Sequence, residues 1–436
     1  MSWTTCEGSE TGYHRRATGA FAVSRRQLMV GVGMGTLGWA SSRSALAGMT
    51  VNPCRADRTH GNVLVVVFLR GGMDGLSAVT PYAEERIYSM RPNLAVATPK
   101  VNSKDTLIDL DGFFGLHPSL APLADMYRSK QMAVVHAIGS QDQTRSHFEA
   151  MAAMDRGAAD DGLGPAGGWI TRYLLASGQA GDSPLRAVSF GTVMPDSLRG
   201  ATNATALPSL DSYRLTSDKH DLAELTATIR RLYGKGQDVA STAGMETLEV
   251  IETLNRLNPD ERAPRHGAKY PTTGMGTGLQ QAATLIRAKV GMEVATVDVG
   301  GWDTHVAQGN TTGWLPTRLE EVGQALAAFM QDLGPDADSV TTVVMSEFGR
   351  RAYENGGLGT DHGRASCAFV LGGAVQGGKV YGPWPGLKPG QLDGPGDLRV
   401  TTDYRALLGE VLARRLGTDP HSVFEAKLNP LGLLKN

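Results

Sequence analysis

Residues 63–75 read VLVVVFLRGGMDG, and this stretch decides the fold. Its first seven residues form an apolar run bounded by glycine, which is typical of a strand buried on both faces of a parallel sheet. Other short apolar runs alternate with segments of helical periodicity, so the sequence predicts an α/β fold with a doubly wound, mostly parallel sheet and helices on both faces. The predicted strands are Met132 to Ala137, Ala187 to Phe190, Val294 to Val299, Val340 to Met345 and Ala368 to Leu371, and the predicted helices are Leu120 to Arg128, Leu222 to Tyr233, Met245 to Leu257, Leu279 to Val290 and Pro316 to Leu333.

The amino end has the pattern of an export signal. Arg25 and Arg26 precede a weakly apolar, glycine-rich stretch, and Ala45 and Ala47 supply the small residues that a signal peptidase needs. The adjacent arginines indicate the twin-arginine export machinery and a periplasmic or otherwise exported protein. The alternative is an uncleaved membrane anchor, but the apolar run is much shorter than the roughly 20 residues that span a bilayer. We therefore expect a signal peptide at residues 1–47.

Residues 48–436 show no convincing domain boundary and are predicted to form a single α/β domain. The formal charge of −2 and the absence of a basic stripe argue against nucleic acid as a partner. No later apolar run is long enough for a membrane span. These features favour a small substrate or a partner in the cell envelope.

Acidic and histidine residues follow two of the predicted strands. Asp74 lies in the glycine-rich turn after residues 63–69, and Asp303 and His305 follow the strand that ends at Val299. Carboxylate and imidazole groups at the carboxyl ends of parallel strands indicate a divalent metal, Zn²⁺ or Mn²⁺ rather than Ca²⁺. The alternatives are a turn-forming aspartate at position 74 and a hydrogen-bonded structural pair at 303 and 305.

A further strand leads to the remaining candidate ligands. Glu347 follows Val340 to Met345, and Asp361 and His362 precede the next apolar run. Each is a candidate metal ligand on the same argument. An ion pair with Arg350 or Arg351 is the alternative for Glu347, and a structural hydrogen bond is the alternative for His362.

Ser146 and Thr144 lie between a predicted strand and a predicted helix. Either hydroxyl would cap the helix, whose amino terminus also suits a phosphate or sulfate group. A hydroxyl in this position is a candidate catalytic nucleophile. Plain capping is the alternative.

The chain resembles the bacterial family called domain of unknown function 1501, whose members look like relatives of the alkaline phosphatase and sulfatase superfamily. The resemblance spans most of residues 48–436. It rests on five segments, namely residues 69–76, 145–148, 301–305, 346–350 and 360–363, which read LRGGMDGL, RSHF, GWDTH, SEFGR and TDHG.

The resemblance implies an alkaline-phosphatase-like core, with Asp74, a hydroxyl at Ser146 or Thr144, and Asp303 with His305 in the superfamily's first site positions. Asp361 and His362 would then be its Asp-His pair, or Glu347 would replace the aspartate while His362 is the late histidine. We prefer the second placement. Phe348 would then occupy the position of a metal-binding histidine, which departs from the superfamily pattern.

Two functions follow. The first is an exported metal-dependent hydrolase of phosphate or sulfate esters, with a divalent metal, Zn or Mn, at the strand ends. The second is a non-catalytic metal-binding or partner-binding protein of the cell envelope on the same fold.

Overall fold

The fold is organised around one large mixed sheet. The computed structural model describes residues 61–435 apart from 101–102, 160–164, 179–182, 212, 217–220, 237 and 258, so the predicted signal at 1–47 lies outside the described residues. A small second sheet joins three short strands, Val79–Thr80, Ile108–Asp109 and Gly115–Leu116. In chain order the strands are β1 (Val63–Leu69), β2 (Val79–Thr80), β3 (Ile108–Asp109), β4 (Gly115–Leu116), β5 (Met132–Gly139), β6 (Ala187–Phe190), β7 (Ala204–Ala206), β8 (Val294–Val299), β9 (Val340–Met345), β10 (Ser366–Leu371), β11 (Val380–Tyr381) and β12 (Thr402–Asp403).

The large sheet has the strand order β11-β5-β10-β9-β1-β8-β6-β7, and β12 also pairs with β5. β1 is central and runs parallel to both β8 and β9. β10 runs antiparallel to β5 and β9, while the other pairs are parallel. The prediction of a mostly parallel sheet is therefore confirmed.

Helices cover both faces of this sheet. Val65 and Val67 of β1 face a core shared with the helices Gly274–Arg287 and Trp314–Leu333. Leu64 and Val66 face a core shared with the helices Trp169–Ala176 and Tyr404–Arg414. This is why the run of β1 is apolar without alternation. The helices are α1 (Gly75–Ala78), α2 (Arg86–Met90), α3 (Ala124–Arg128), α4 (His147–Arg156), α5 (Trp169–Ala176), α6 (Leu222–Tyr233), α7 (Val239–Asn255), α8 (Pro259–Arg262), α9 (Gly274–Arg287), α10 (Trp314–Leu333), α11 (Tyr404–Arg414) and α12 (His421–Phe424).

The helix α6 has its predicted bounds, Leu222–Tyr233, whereas other helices begin at residues that differ from the predicted ones. α7 begins six residues earlier than the predicted start at Met245, because the side chain of Asp238 accepts a hydrogen bond from Ser241 N. Thr273 caps α9 in the same way. The predicted helix from Leu120 begins as a 3-10 turn that contains Pro122, which has no N–H to donate.

The carboxyl ends of three parallel strands meet at one edge of the sheet. Leu69 of β1 is in register with Val299 of β8, and Phe68 is in register with Met345 of β9. The turn after β1 passes so close to the loop after β8 that a Cβ atom on Gly71 would lie 2.9 Å from Asp303 N, and the φ of Gly71 is +126°. Only glycine fits this crossing.

None of the helices in the described part of the chain is long and apolar enough to cross a bilayer.

Candidate metal centre

Three side chains converge at this edge of the sheet. His147 begins α4, Asp303 lies in the loop after β8, and His362 precedes β10; one ligand atom from each lies within 4.8 Å of the others. Asp303 Oδ1 is 3.0 Å from His362 Nε2 and 3.4 Å from His147 Nε2. His305 joins them, because its Nε2 lies 3.0 Å from Asp303 Oδ1 and 2.9 Å from His362 Nε2.

The other ring nitrogens of two of these histidines contact acceptors. His147 Nδ1 is 2.6 Å from Glu347 Oε1, and His362 Nδ1 is 2.8 Å from the carbonyl oxygen of Arg145. A carbonyl oxygen can only accept, and Glu347 Oε1 is an acceptor because Gly71 N and Gly72 N both donate to it, so each Nδ1 carries the proton. In the neutral rings both Nε2 lone pairs therefore face the common centre.

This donor set fits a divalent cation. Lone pairs and a carboxylate that converge on one point repel each other unless a proton or a cation lies between them. His147 Nε2 is buried and has no hydrogen-bond partner among the described residues. Imidazole nitrogens and carboxylate oxygens are ligands that Zn²⁺ and Mn²⁺ accept.

Arg350 holds Asp303 in place. The buried guanidinium donates to Asp303 Oδ1 at 2.7 Å. It also donates to the carbonyl oxygens of Gly71, Gly72, Trp302 and Thr360. Arg350 thus ties the turn after β1 to the two segments that carry Asp303 and His362.

The protonation of the cluster follows from these contacts. Burial by itself would raise the pKa of Asp303, but the hydrogen bond from Arg350 outweighs burial and lowers that pKa. The hydrogen bond to Glu347 raises the pKa of His147. Burial lowers the pKa of His362. Asp303 is thus a carboxylate at neutral pH.

The fold brings together three of the candidate ligands identified from the sequence, namely Asp303, His305 and His362. Asp361 lies beside them, with Oδ1 3.5 Å from His305 Nδ1, and the hydrogen bond from Asn355 lowers the pKa of Asp361. Glu347 faces His147, whereas Arg350 and Arg351 direct their guanidinium groups to Asp303 and Asp361.

Asp74 belongs to a different network. Its Oδ2 accepts from Arg91 Nη1 at 2.6 Å, Gln308 Nε2 at 2.7 Å and Ser77 Oγ at 2.8 Å, all in the protein interior. Burial by itself would raise the pKa of Asp74, but Arg91 outweighs burial and lowers it. The group of ligand atoms that lie within 4.8 Å of one another does not include Asp74. Its contacts with Gln308 support the loop that carries Asp303.

The two candidate hydroxyls lie just before the cluster. Ser146 caps α4, as predicted, and its Oγ is 3.5 Å from Glu149 N. Thr144 Oγ1 donates to Asp142 Oδ2 at 3.1 Å. Ser146 directly precedes His147 along the chain, so this hydroxyl lies at the same helix start as the imidazole.

His147 is the member of the cluster that sequence reasoning missed. It follows the capping residue Ser146 at a helix start near the carboxyl edge, and this position is the signal that could have identified it. The ring of Phe348 stacks on His147, with ring centroids 4.7 Å apart, and lies 5.1 Å from the ring of His362. Phe348 therefore packs against two members of the cluster.

The chain matches one family model and is similar to solved structures at low sequence identity. The family model described as "Protein of unknown function (DUF1501)" matches residues 62–428. No curated protein matches the chain. Among solved structures, Ps i-CgsB in complex with k-i-k-neocarrahexaose is similar at 9% identity and a TM-score of 0.38, covering 85% of this chain and 73% of that chain. The PsFucS1 sulfatase from Pseudoalteromonas sp. is similar at 12% identity and a TM-score of 0.33, covering 74% of this chain and 64% of the sulfatase chain.

Proposed function

The chain belongs to the DUF1501 family, and we propose that it is an exported metal-dependent hydrolase of phosphate or sulfate esters. The observation that carries the proposal is the convergence of His147, Asp303 and His362, joined by His305, at the carboxyl edge of the sheet. Ligand sites of α/β proteins lie at this edge.

His147, Asp303, His305 and His362 would hold one divalent cation, Zn²⁺ or Mn²⁺. Such an ion supplies Lewis acidity, which stabilises developing negative charge on an ester oxygen and lowers the pKa of a nearby hydroxyl. Arg350 would keep Asp303 oriented through the 2.7 Å hydrogen bond. Because Arg350 already holds Asp303 in one orientation, less conformational entropy is lost when Asp303 binds the cation.

The start of α4 would bind the anionic group of the substrate. Free N–H groups at a helix amino terminus attract phosphate and sulfate. Ser146 Oγ, or Thr144 Oγ1, would attack the phosphorus or sulfur atom while the alcohol leaves. Water would then cleave the ester formed on that oxygen, which releases phosphate or sulfate and restores the hydroxyl.

A non-catalytic metal-binding protein of the cell envelope is the second candidate. It is favoured by Phe348, which packs against His147 and His362 where the superfamily resemblance implies a further histidine ligand. Within the described residues, the cluster at His147 is the one group of three or more potential ligands. One divalent cation at this cluster is compatible with a metal-binding protein as well as with a hydrolase.

Metal analysis and ester hydrolysis separate these candidates. We expect the purified protein to contain about one equivalent of zinc or manganese per chain and to hydrolyse 4-nitrophenyl phosphate or 4-nitrophenyl sulfate, with loss of activity after chelation and recovery after metal return. Bound metal without hydrolysis would favour the binding protein. Absence of both would exclude the metal-dependent hydrolase.

Export through the twin-arginine machinery is part of the proposal. It is supported by Arg25 and Arg26 ahead of the apolar stretch and by the small residues at Ala45 and Ala47. Proteins on this route cross the membrane already folded, which suits a domain that acquires its metal before export. The hydrolase would then act on an ester in the periplasm, and the non-catalytic protein would bind a partner there.

A further inference from the structure

Glu347 contacts the side of His147 that faces away from Asp303, and the protein itself supplies donors to its carboxylate. The side chain is completely buried. Its Oε1 accepts from Gly71 N at 2.8 Å and Gly72 N at 3.1 Å, and it lies 2.6 Å from His147 Nδ1. The hydroxyl of Ser346 lies 3.0 Å from Oε2. Glu347 Oε1 thus has three polar groups of the protein itself within hydrogen-bond distance.

The turn after β1 aims the two backbone donors at Glu347. Gly71 and Gly72 have φ values of +126° and +66°, and two successive N–H groups in such a turn form a concave site for an anion. A Cβ atom on Gly72 would lie 2.6 Å from the ring of Phe348. The carboxylate position is therefore built into the backbone and does not depend on a bound ion.

Glu347 determines which nitrogen of His147 is available. Because the carboxylate accepts at Nδ1, the neutral ring keeps its lone pair on Nε2. Phe348 stacks on the ring with an interplanar angle of 28°, which restrains its rotation. The buried Nε2, 3.4 Å from Asp303 Oδ1, is then the atom that faces the cluster.

We infer that Glu347 is a positioning residue, which holds His147 in the tautomer and orientation that ligate a divalent cation and is not itself a ligand. This inference rests on the proposed function, because it needs a cation at the cluster. It differs from the sequence-based hypothesis, in which Glu347 is a ligand. Carboxylates that hold a ligating histidine typically contribute 10–100-fold to metal affinity.

A double-mutant cycle on metal affinity tests the inference. Zinc affinity would be measured by chelator competition for the wild type, Glu347→Gln, His147→Ala and the double variant. We expect Glu347→Gln to weaken zinc binding roughly 10–100-fold. In the His147→Ala background the same change should add no further loss, because the group through which Glu347 acts is gone. An equal further loss in that background would mean that Glu347 binds the ion directly and would overturn the inference.

Glu410→Gln is the matched control. Glu410 is also a buried carboxylate, and it accepts four backbone N–H groups, from residues 431 to 434, away from the cluster. Its replacement should lower stability but leave zinc affinity unchanged. A comparable loss of zinc affinity in this control would assign the effect of Glu347→Gln to general destabilisation and overturn the inference.

The tautomer of His147 can be measured in the wild-type protein without metal, so this test does not require a stable variant at position 347. Long-range ¹H–¹⁵N spectra of the wild type, at a pH where the ring is neutral, should show a proton on Nδ1 and none on Nε2. The reverse tautomer would overturn the positioning role. If the wild type binds no metal, the proposed function fails while this spectrum still decides how Glu347 orients the ring.

Discussion

The Nε2 atoms of His305 and His362 lie 2.9 Å apart, and each lies 3.0 Å from Asp303 Oδ1. Thr360 N donates to the carbonyl oxygen of Thr304 at 3.1 Å, which holds the two histidine-bearing segments side by side. A Cβ atom on Gly359 would lie 2.3 Å from the backbone of His305. The glycine thus permits the approach of two imidazoles that are far apart in the sequence.

Replacing Asp303 by Asn together with His305 by Ala should abolish bound metal and ester hydrolysis. Asn keeps the shape of Asp without its charge, and Ala removes a ring nitrogen, so two ligands are weakened or lost at once. The fold should survive, since the two cores on either face of the sheet do not depend on the cluster. Metal content, activity and cooperative thermal unfolding check this expectation, and a variant that keeps its metal would place the site elsewhere.

Asp74→Asn should lower the free energy of unfolding by about 3–5 kcal/mol, as expected when one partner of a buried ion pair is removed. Both side chains of the Arg91–Asp74 pair are almost completely buried. The control is Asp125→Asn, because the Arg128–Asp125 pair is exposed and such pairs contribute at most about 1 kcal/mol. Denaturant unfolding measures both variants. Equal losses would contradict a structural role for Asp74.

Asp155 should make the stability depend on pH. Burial raises the pKa of Asp155 to about 6. The Arg70 guanidinium, 3.3 Å away, lowers this pKa but does not outweigh burial. Arg70 also pairs with Asp298 at 2.8 Å, and the negative charge of Asp298 raises the pKa of Asp155 further. A carboxyl whose pKa is raised on folding stabilises the fold fully below its unfolded pKa, about 3.9, and this contribution is lost as the pH rises through about 6.

Asp155→Asn cannot titrate, so it isolates this contribution. The stability of the wild type relative to the variant should therefore fall by up to roughly 3 kcal/mol between pH 4 and pH 7. Denaturant unfolding at a series of pH values measures the difference. A difference that stays constant with pH would show that Asp155 keeps an ordinary pKa in the folded protein.

Replacing Arg25 and Arg26 by Lys should leave precursor in the cytoplasm, because the twin-arginine pathway recognises the paired guanidinium groups rather than charge alone. Cell fractionation and immunoblotting measure the distribution. Asp303→Asn with an intact arginine pair is the control for secondary effects on folding. Unchanged export of the lysine variant would contradict the predicted route.

The sequence alone determined the class of fold and the part of the chain that bears the candidate ligands. An uninterrupted apolar run such as Val63–Leu69 can be buried only between two layers, so alternating runs and helices imply a sheet covered on both faces. Acidic residues and histidines after such strands must then meet at its carboxyl edge. Asp303 and His305 were identified in this way, and His362 was identified from its place before the next apolar run.

Only the tertiary structure decided which polar side chain faces which partner. Asp74 and Glu347 each follow a buried strand, as Asp303 does, yet Asp74 pairs with Arg91 and Glu347 with His147. These partners lie far away in the sequence or on another element, and local periodicity carries no information on them. A buried carboxylate is stable with whichever donors the strand order brings within about 3 Å. Whether a carboxylate faces the cluster or pairs with another side chain therefore depends on packing geometry, which the residue types do not specify.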